Sequence, residues 1–134
     1  MKIYCCGCTQ KVEARLTDGR EIYPGRPHLA NNPFWKCDAC GNYVGCHHKT
    51  INRTRPLGSI PSPEVRNARQ HVHALIDPAW QGGLVDRQEL YHHLSRMTGR
   101  EYHTANIRTV EEAREVYRIA RAFIRSHIKP DSAQ

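Results

Sequence analysis

From residue 63 onward the apolar positions of this chain fall into three runs at helical spacing. Val65, Ala68, Val72 and Leu75 make the first, and Leu90, Tyr91, Leu94 and Met97 the second. Ala113, Val116, Tyr117, Ala120, Phe123 and Ile124 make the third and longest. Each run is punctuated. Ser62-Pro63 offers an N-cap with proline at the first helical position, and Asp77-Pro78 predicts the stop. Asp86 with Glu89, and Thr109 with Glu112, have capping-box spacing. Gly99 predicts the end of the second helix, and the third is expected to end before Pro130. Three amphipathic helices cannot bury their stripes alone, so they are expected to pack on one another or on what precedes them.

Before residue 51 the pattern changes. Short β-prone runs at 2–4, 12–16, 21–23, 34–36 and 42–44 alternate with the turn signals "TDGR" at 17–20 and "PGRP" at 24–27. "TDGR", between two alternating runs, predicts a tight hairpin. Residues 51–62, "INRTRPLGSIPS", read as a Pro- and Gly-marked linker with two arginines and no acid. The expected class is α+β. Short antiparallel hairpins occupy 1–50, a linker 51–62, and a module of about three helices 63–128.

Composition changes this picture in one respect. A chain of 134 residues, 39% hydrophobic with two Phe and two Trp, has a modest core of the kind a metal or disulfide often staples. With no apolar run near the roughly 20 residues of a membrane helix and no signal-peptide pattern, a soluble cytosolic protein is expected. In that compartment six cysteines favour metal binding. Cys5 and Cys8 form one C-x-x-C, Cys37 and Cys40 another, with Gly41 positioned to let the chain turn behind the second pair. Zinc takes four tetrahedral ligands, and two such turns brought together by hairpins supply them. The long spacer is tolerable because loop-closure cost grows slowly with length. One structural Zn2+ is expected, its shell filled by sulfur and closed to water. A C-x-C bite from Cys6 with Cys8 is poorer, yet Cys6 remains an alternative to Cys5.

The stretch "FWKCDACGNYVGCHHKT" leaves Cys46, His47 and His48 over as a candidate second site. Three readings stand. The trio is a strand end with the thiol buried, it contributes a substitute zinc ligand, or Cys46 is a nucleophile. Neighbours in a strand point to opposite faces, which disfavours a Cys46–His47 catalytic pair. Farther on, Arg66, Arg69 and His73 share a helical face with Asp77, either as a phosphate- or substrate-facing row or as a solvated face with a His73–Asp77 pair. His71 diverges from His73, and His92 from His93, so neither pair chelates one ion. Trp80 reads as a cap on the core.

The formal charge is +7, with +3 in residues 1–50, +3 in 51–70 and +1 in 71–134. A basic balance suits nucleic acid or an acidic protein surface. Arg114, Arg118, Arg121 and Arg125 form a stripe at i, i+4, i+7 and i+11 that can track phosphates, or can pair locally with Glu111 and Glu115. Lys49, Arg53 and Arg55 have no acid near them in sequence.

"YCCGC", "FWKCDACGNYVGCHHKT", "PLGSIPSPEVRNARQHVHALIDPAW" and "DRQELYHHLSRMTG" resemble a family of small phage and prophage proteins described as a zinc-finger-containing domain of unknown function. The resemblance spans about residues 4–125 and implies Cys5, Cys8, Cys37 and Cys40 as zinc ligands, in a phage-encoded protein of the host cytoplasm. The chain departs from the family in having Cys6 and Gly7 where a proline and an aromatic are usual, and His48 where proline follows Gly-Cys-His. The family carries no agreed activity. The leading expectation is a non-catalytic accessory or regulatory protein that binds nucleic acid through Lys49, Arg53, Arg55 and the arginine stripe. The alternatives are a protein-binding module that inhibits or adapts a host complex, and a metal-dependent hydrolase or nuclease using His47, His48, His71 or Asp77.

Overall fold

The computed structural model describes residues 1–128 and divides after Arg66 into two compact units. In the first, β1 (Lys2–Cys5) and β2 (Gln10–Glu13) form an antiparallel hairpin with Cys5 opposite Gln10. β3 (Arg15–Asp18), β4 (Pro33–Lys36) and β5 (Tyr43–Gly45) form a second antiparallel sheet in the order β3-β4-β5. The apolar run at 12–16 is therefore two strands rather than one. Ala14, buried and donating its N–H to the Met1 carbonyl, is where the chain passes from one sheet to the other.

"TDGR" is not a hairpin. The Asp18 carboxylate accepts the Arg20 N–H and caps a single helical turn, α1 (Gly19–Ile22), so β4 reaches β3 only after residues 19–32. Gly19 makes the detour possible: a Cβ there would lie 1.8 Å from the Leu29 carbonyl oxygen. The run at 21–23, expected as a strand, instead places Glu21 where its carboxylate accepts from Arg15, Lys36 and Thr17. Segment 51–62, read as a linker, is hydrogen-bonded to the strands. Ile60 is fully buried, donates to the Tyr4 carbonyl and accepts the Cys6 N–H, while Leu57 donates to Gly45. Ile3, Cys5, Ala14, Cys37, Val44 and Ile60 form the core of this unit.

The helices are α2 (Pro63–Gln81), α3 (Arg87–Thr98) and α4 (Val110–Ser126). Their caps follow the sequence. Ser62 Oγ accepts the Val65 N–H, Asp86 accepts from Glu89, and Thr109 Oγ1 accepts from Glu112. The Glu112 carboxylate reaches back to the Arg108 N–H. Gly99 ends α3 in the left-handed conformation at φ 78°.

Asp77-Pro78 does not end α2, which continues to Gln81. A proline so near the C-terminus removes one N–H and leaves most of the ladder intact. The stop comes at Gly82 and Gly83, where the Leu84 and Val85 N–H groups both turn back to the Ala79 carbonyl. Val72, Ile76, Leu90, Leu94, Ile107, Val116 and Ala120 make the heart of the helical core. Ile76, Ile107 and Ile119 add to the predicted stripes, whereas Met97 is 57% exposed and off its stripe. Pro130 lies outside the described residues. Among the described residues no helix is long and apolar enough to cross a membrane.

Candidate metal centre

Each cysteine pair sits on the turn of an antiparallel strand pair. Cys5 ends β1 and Cys8 lies in the turn before β2, while Cys37 and Cys40 lie between β4 and β5. The Gly7 and Cys8 backbone N–H groups aim at the Cys5 sulfur, and the Asn42 backbone N–H at Cys40. The second turn is closed by Gly41 N–H to the Cys37 carbonyl and Cys37 N–H to Asn42, with Gly41 at φ 82°. That left-handed backbone strongly favours glycine.

The four Sγ atoms lie within 4.8 Å of one another. Cys5 and Cys40 are 3.4 Å apart, Cys8 and Cys37 3.7 Å. A tetrahedral zinc with Zn–S near 2.3 Å requires sulfur–sulfur edges of about 3.8 Å, so the quartet fits the ion with little adjustment. The protonation chemistry agrees. Burial, ahead of the contacts with Cys40 and Cys8, pushes the Cys5 thiol up to about 12. Hydrogen bonding to Cys37, then burial, raises Cys8. For Cys40 burial acts upward, but the Asn42 N–H and the neighbouring thiols outweigh it and bring it below the usual range. Four thiolates this close need a divalent countercharge, and metal binding displaces their protons. The site holds one structural Zn2+. Cys5 and Cys37 are buried, Cys8 is half-buried and Cys40 exposed.

Sequence reasoning missed two supporting residues. The Asn42 side-chain amide donates to Cys40 Sγ at 3.2 Å. A Cβ on Gly7 would fall 2.4 Å from that amide nitrogen and 3.3 Å from Cys40 Sγ, so a small residue here lets the two turns meet. The glycine between Cys6 and Cys8 was the available signal; nothing local distinguished Asn42. A salt-bridge network braces the second turn. Arg15 forks to Asp38 and Glu21, and Lys36 also reaches Glu21. Hydrogen bonds from Arg15 hold both carboxyls below the usual carboxylate range.

Cys6 stands outside the quartet, its sulfur 3.9 Å from Ser59 Oγ. Cys46, His47 and His48 are not gathered into a ligand set. Among the described residues the four cysteines are the one group of three or more metal-ligating side chains that converges. His48 Nδ1 lies 3.3 Å from the Cys46 carbonyl oxygen, so this contact is not with the thiol. Cys46 is 3% exposed, and burial pushes its thiol up to about 11 against the opposing charge of Arg53. The buried thiol is thus held protonated at neutral pH. In the zinc-loaded protein Cys46 is therefore expected to resist iodoacetamide at pH 8 until denaturant is added. Peptide mapping after labelling checks this, and native alkylation at the rate of a free thiol contradicts it.

The other predicted side chains divide. Arg53 is spent on backbone carbonyls, donating to His48 nearby in sequence and to Asn31 in the segment before β4. Lys49 and Arg55 are exposed, with no acidic partner among the described residues. Arg66 donates to the Tyr43 carbonyl, and Arg69 is buried with Nε and Nη2 both on the Ile107 carbonyl. These two do not form a phosphate-facing row with His73. Asp77 pairs with His73 at 3.2 Å and accepts the Trp80 indole N–H, while His71 is exposed. On α4 all four arginines are exposed. Arg118 pairs with Glu115, and Arg121 lies over the Tyr117 ring. Arg114 and Arg125 have no acidic partner among the described residues.

Among curated proteins and among solved structures, none matches this chain. A family described as a zinc-finger-containing domain matches residues 1–123. The converging cysteines lie inside that span, and the chain belongs to this zinc-finger-containing domain family.

Proposed function

We propose that this is a zinc-stabilised, non-catalytic accessory or regulatory protein that binds nucleic acid through its phosphates. The observation that carries the reading is the exposed row on α4. At about 100° per residue Arg114, Arg118, Arg121 and Arg125 fall within about 60° of arc and run about 16 Å along the helix. Only Arg118 of the four is in an ion pair among the described residues. Lys49 and Arg55 supply a second exposed basic surface, on the first unit. The phage-type setting and the cytoplasmic location implied by the family resemblance belong to this same reading.

The test is a salt titration of binding to labelled single-stranded and duplex oligonucleotides. Affinity is expected to fall about 100-fold between 50 and 200 mM salt, the behaviour of roughly four neutralised phosphates. Charge reversal of Arg114, Arg121 and Arg125 together should flatten the log–log slope by about 3, since each is one phosphate contact. Salt-insensitive or absent binding to both forms overturns the reading in favour of a protein partner.

A further inference from the structure

The first unit carries an aromatic cluster on one face of its second sheet, with Phe34 buried and Tyr23 and Tyr43 half-buried. On β4 and β5, Trp35 and Val44 point to the core with Cys37, whereas Phe34 and Tyr43 share the other face, where Phe34 sits opposite Gly45 and Lys36 opposite Tyr43. Tyr23, from the turn after α1, joins them. Its ring is edge-on to Phe34 at 5.7 Å and to Tyr43 at 5.5 Å, and the two phenol oxygens are 2.6 Å apart. Neither tyrosine belongs to the metal site.

Each tyrosine carries an arginine. The Arg66 guanidinium lies 4.2 Å above the Tyr43 ring and is held there by its bond to the Tyr43 carbonyl. Arg26, an exposed residue, lies 5.4 Å above Tyr23. The acids of this face are Glu21, already engaged by Arg15 and Lys36, and Asp38, engaged by Arg15. Arg26 and Arg66 have no acidic partner among the described residues, so the face presents two flat cations on two adjacent rings without local neutralisation. Guanidinium planes and aromatic rings are the surfaces on which unpaired bases stack, and in a duplex those base faces are occupied by neighbouring pairs.

We propose that the Tyr23–Arg26 and Tyr43–Arg66 stacks are a base-stacking platform, and that the protein prefers single-stranded nucleic acid. This rests on the nucleic-acid reading above and names its substrate class. The bases stack on the outward guanidinium and ring faces, and the positive charge draws the adjoining phosphates.

The experiment uses the zinc-loaded full chain with an oligothymidylate carrying one 2-aminopurine, a base whose emission falls when it stacks, and with a duplex of equal length. The variants are R26K, at an exposed position where folding is not at risk, and R26K/R66K; both keep the charge and remove the plane. The wild type is expected to quench 2-aminopurine and to prefer the single strand. R26K is expected to weaken single-strand binding severalfold and the double variant about tenfold or more, with quenching lost and duplex affinity unchanged. Equal affinity for single strand and duplex, or R26K retaining full quenching, overturns the platform while leaving the α4 phosphate row standing. Absence of binding to either oligonucleotide by the wild type overturns both.

Discussion

Replacing Cys37 with serine is expected to unfold the first unit, and stripping the metal with a strong chelator should do the same. Cys37 is buried between β4 and β5, and its sulfur is one of four that converge from two separate sheets. Those sheets are small. Their shared core is six buried residues, two of them zinc ligands. Without the ion, partly protonated sulfurs crowd where four thiolates should share one cation, and the apolar remainder is too small to hold both hairpins. A structural zinc contributes on the order of 10 kcal/mol of binding free energy, more than a unit of this size has in reserve. Bound zinc should fall from one equivalent to none, and amide protection should vanish across β1 to β5. The helical core of Val72, Leu90, Leu94 and Val116 contains no cysteine, so α3 and α4 are expected to keep their helical circular dichroism. A Cys37→Ser protein that holds one zinc and protects its strands would contradict the assignment.

Arg69→Ala should strongly destabilise the helical unit, although the residue is charged. The side chain is 8% exposed and directs Nε and Nη2 onto the Ile107 carbonyl at 3.0 and 2.7 Å. Both bonds are charge-assisted, and they tie α2 to the irregular segment between α3 and α4. Alanine removes the donors from a carbonyl beside the fully buried Ile107 side chain and leaves a void as large as the arginine stem. The expected cost is about 3 kcal/mol. Native-state hydrogen exchange at Leu90 and Leu94 checks it directly, because their amides report the opening of the helical core. An opening free energy within about 0.5 kcal/mol of wild type would mean that water or a neighbour replaces the guanidinium.

What the chain disclosed in advance was whatever depends on spacing. Three helices were visible because their apolar positions repeat and because Ser62, Asp86 and Thr109 stand where orphan N–H groups need oxygen. The zinc site was visible because a tight turn imposes C-x-x-C whatever surrounds it. Context decided the rest. Asp18-Gly19 serves a hairpin or a helix N-terminus equally well, and the approach of Leu29 to Gly19, which selects the second, is a tertiary event. Pro78 broke a local rule that late helix positions tolerate. Arg66 and Arg69 shared a helical face with His73, yet Arg66 is held over Tyr43 and Arg69 under Ile107. Periodicity gives the direction of a side chain and says nothing about whether an acceptor waits there.

The division of the zinc ligands between two distant turns has a consequence for the moment of synthesis. Cys8 leaves the ribosome 29 residues ahead of Cys37, an interval of about 1.5 to 6 seconds at ordinary elongation rates. During it Cys5, Cys6 and Cys8 are three neighbouring thiols with half a shell to offer, able to pair with one another if the surroundings are oxidising. Closure waits longer still, because Ile60, which covers Cys5 by accepting the Cys6 N–H and donating to Tyr4, is translated after all four ligands. The nascent chain is therefore most vulnerable to oxidation between the synthesis of Cys5 and that of Ile60, and the reducing power and free zinc of its surroundings in those seconds bear on the yield of the folded protein.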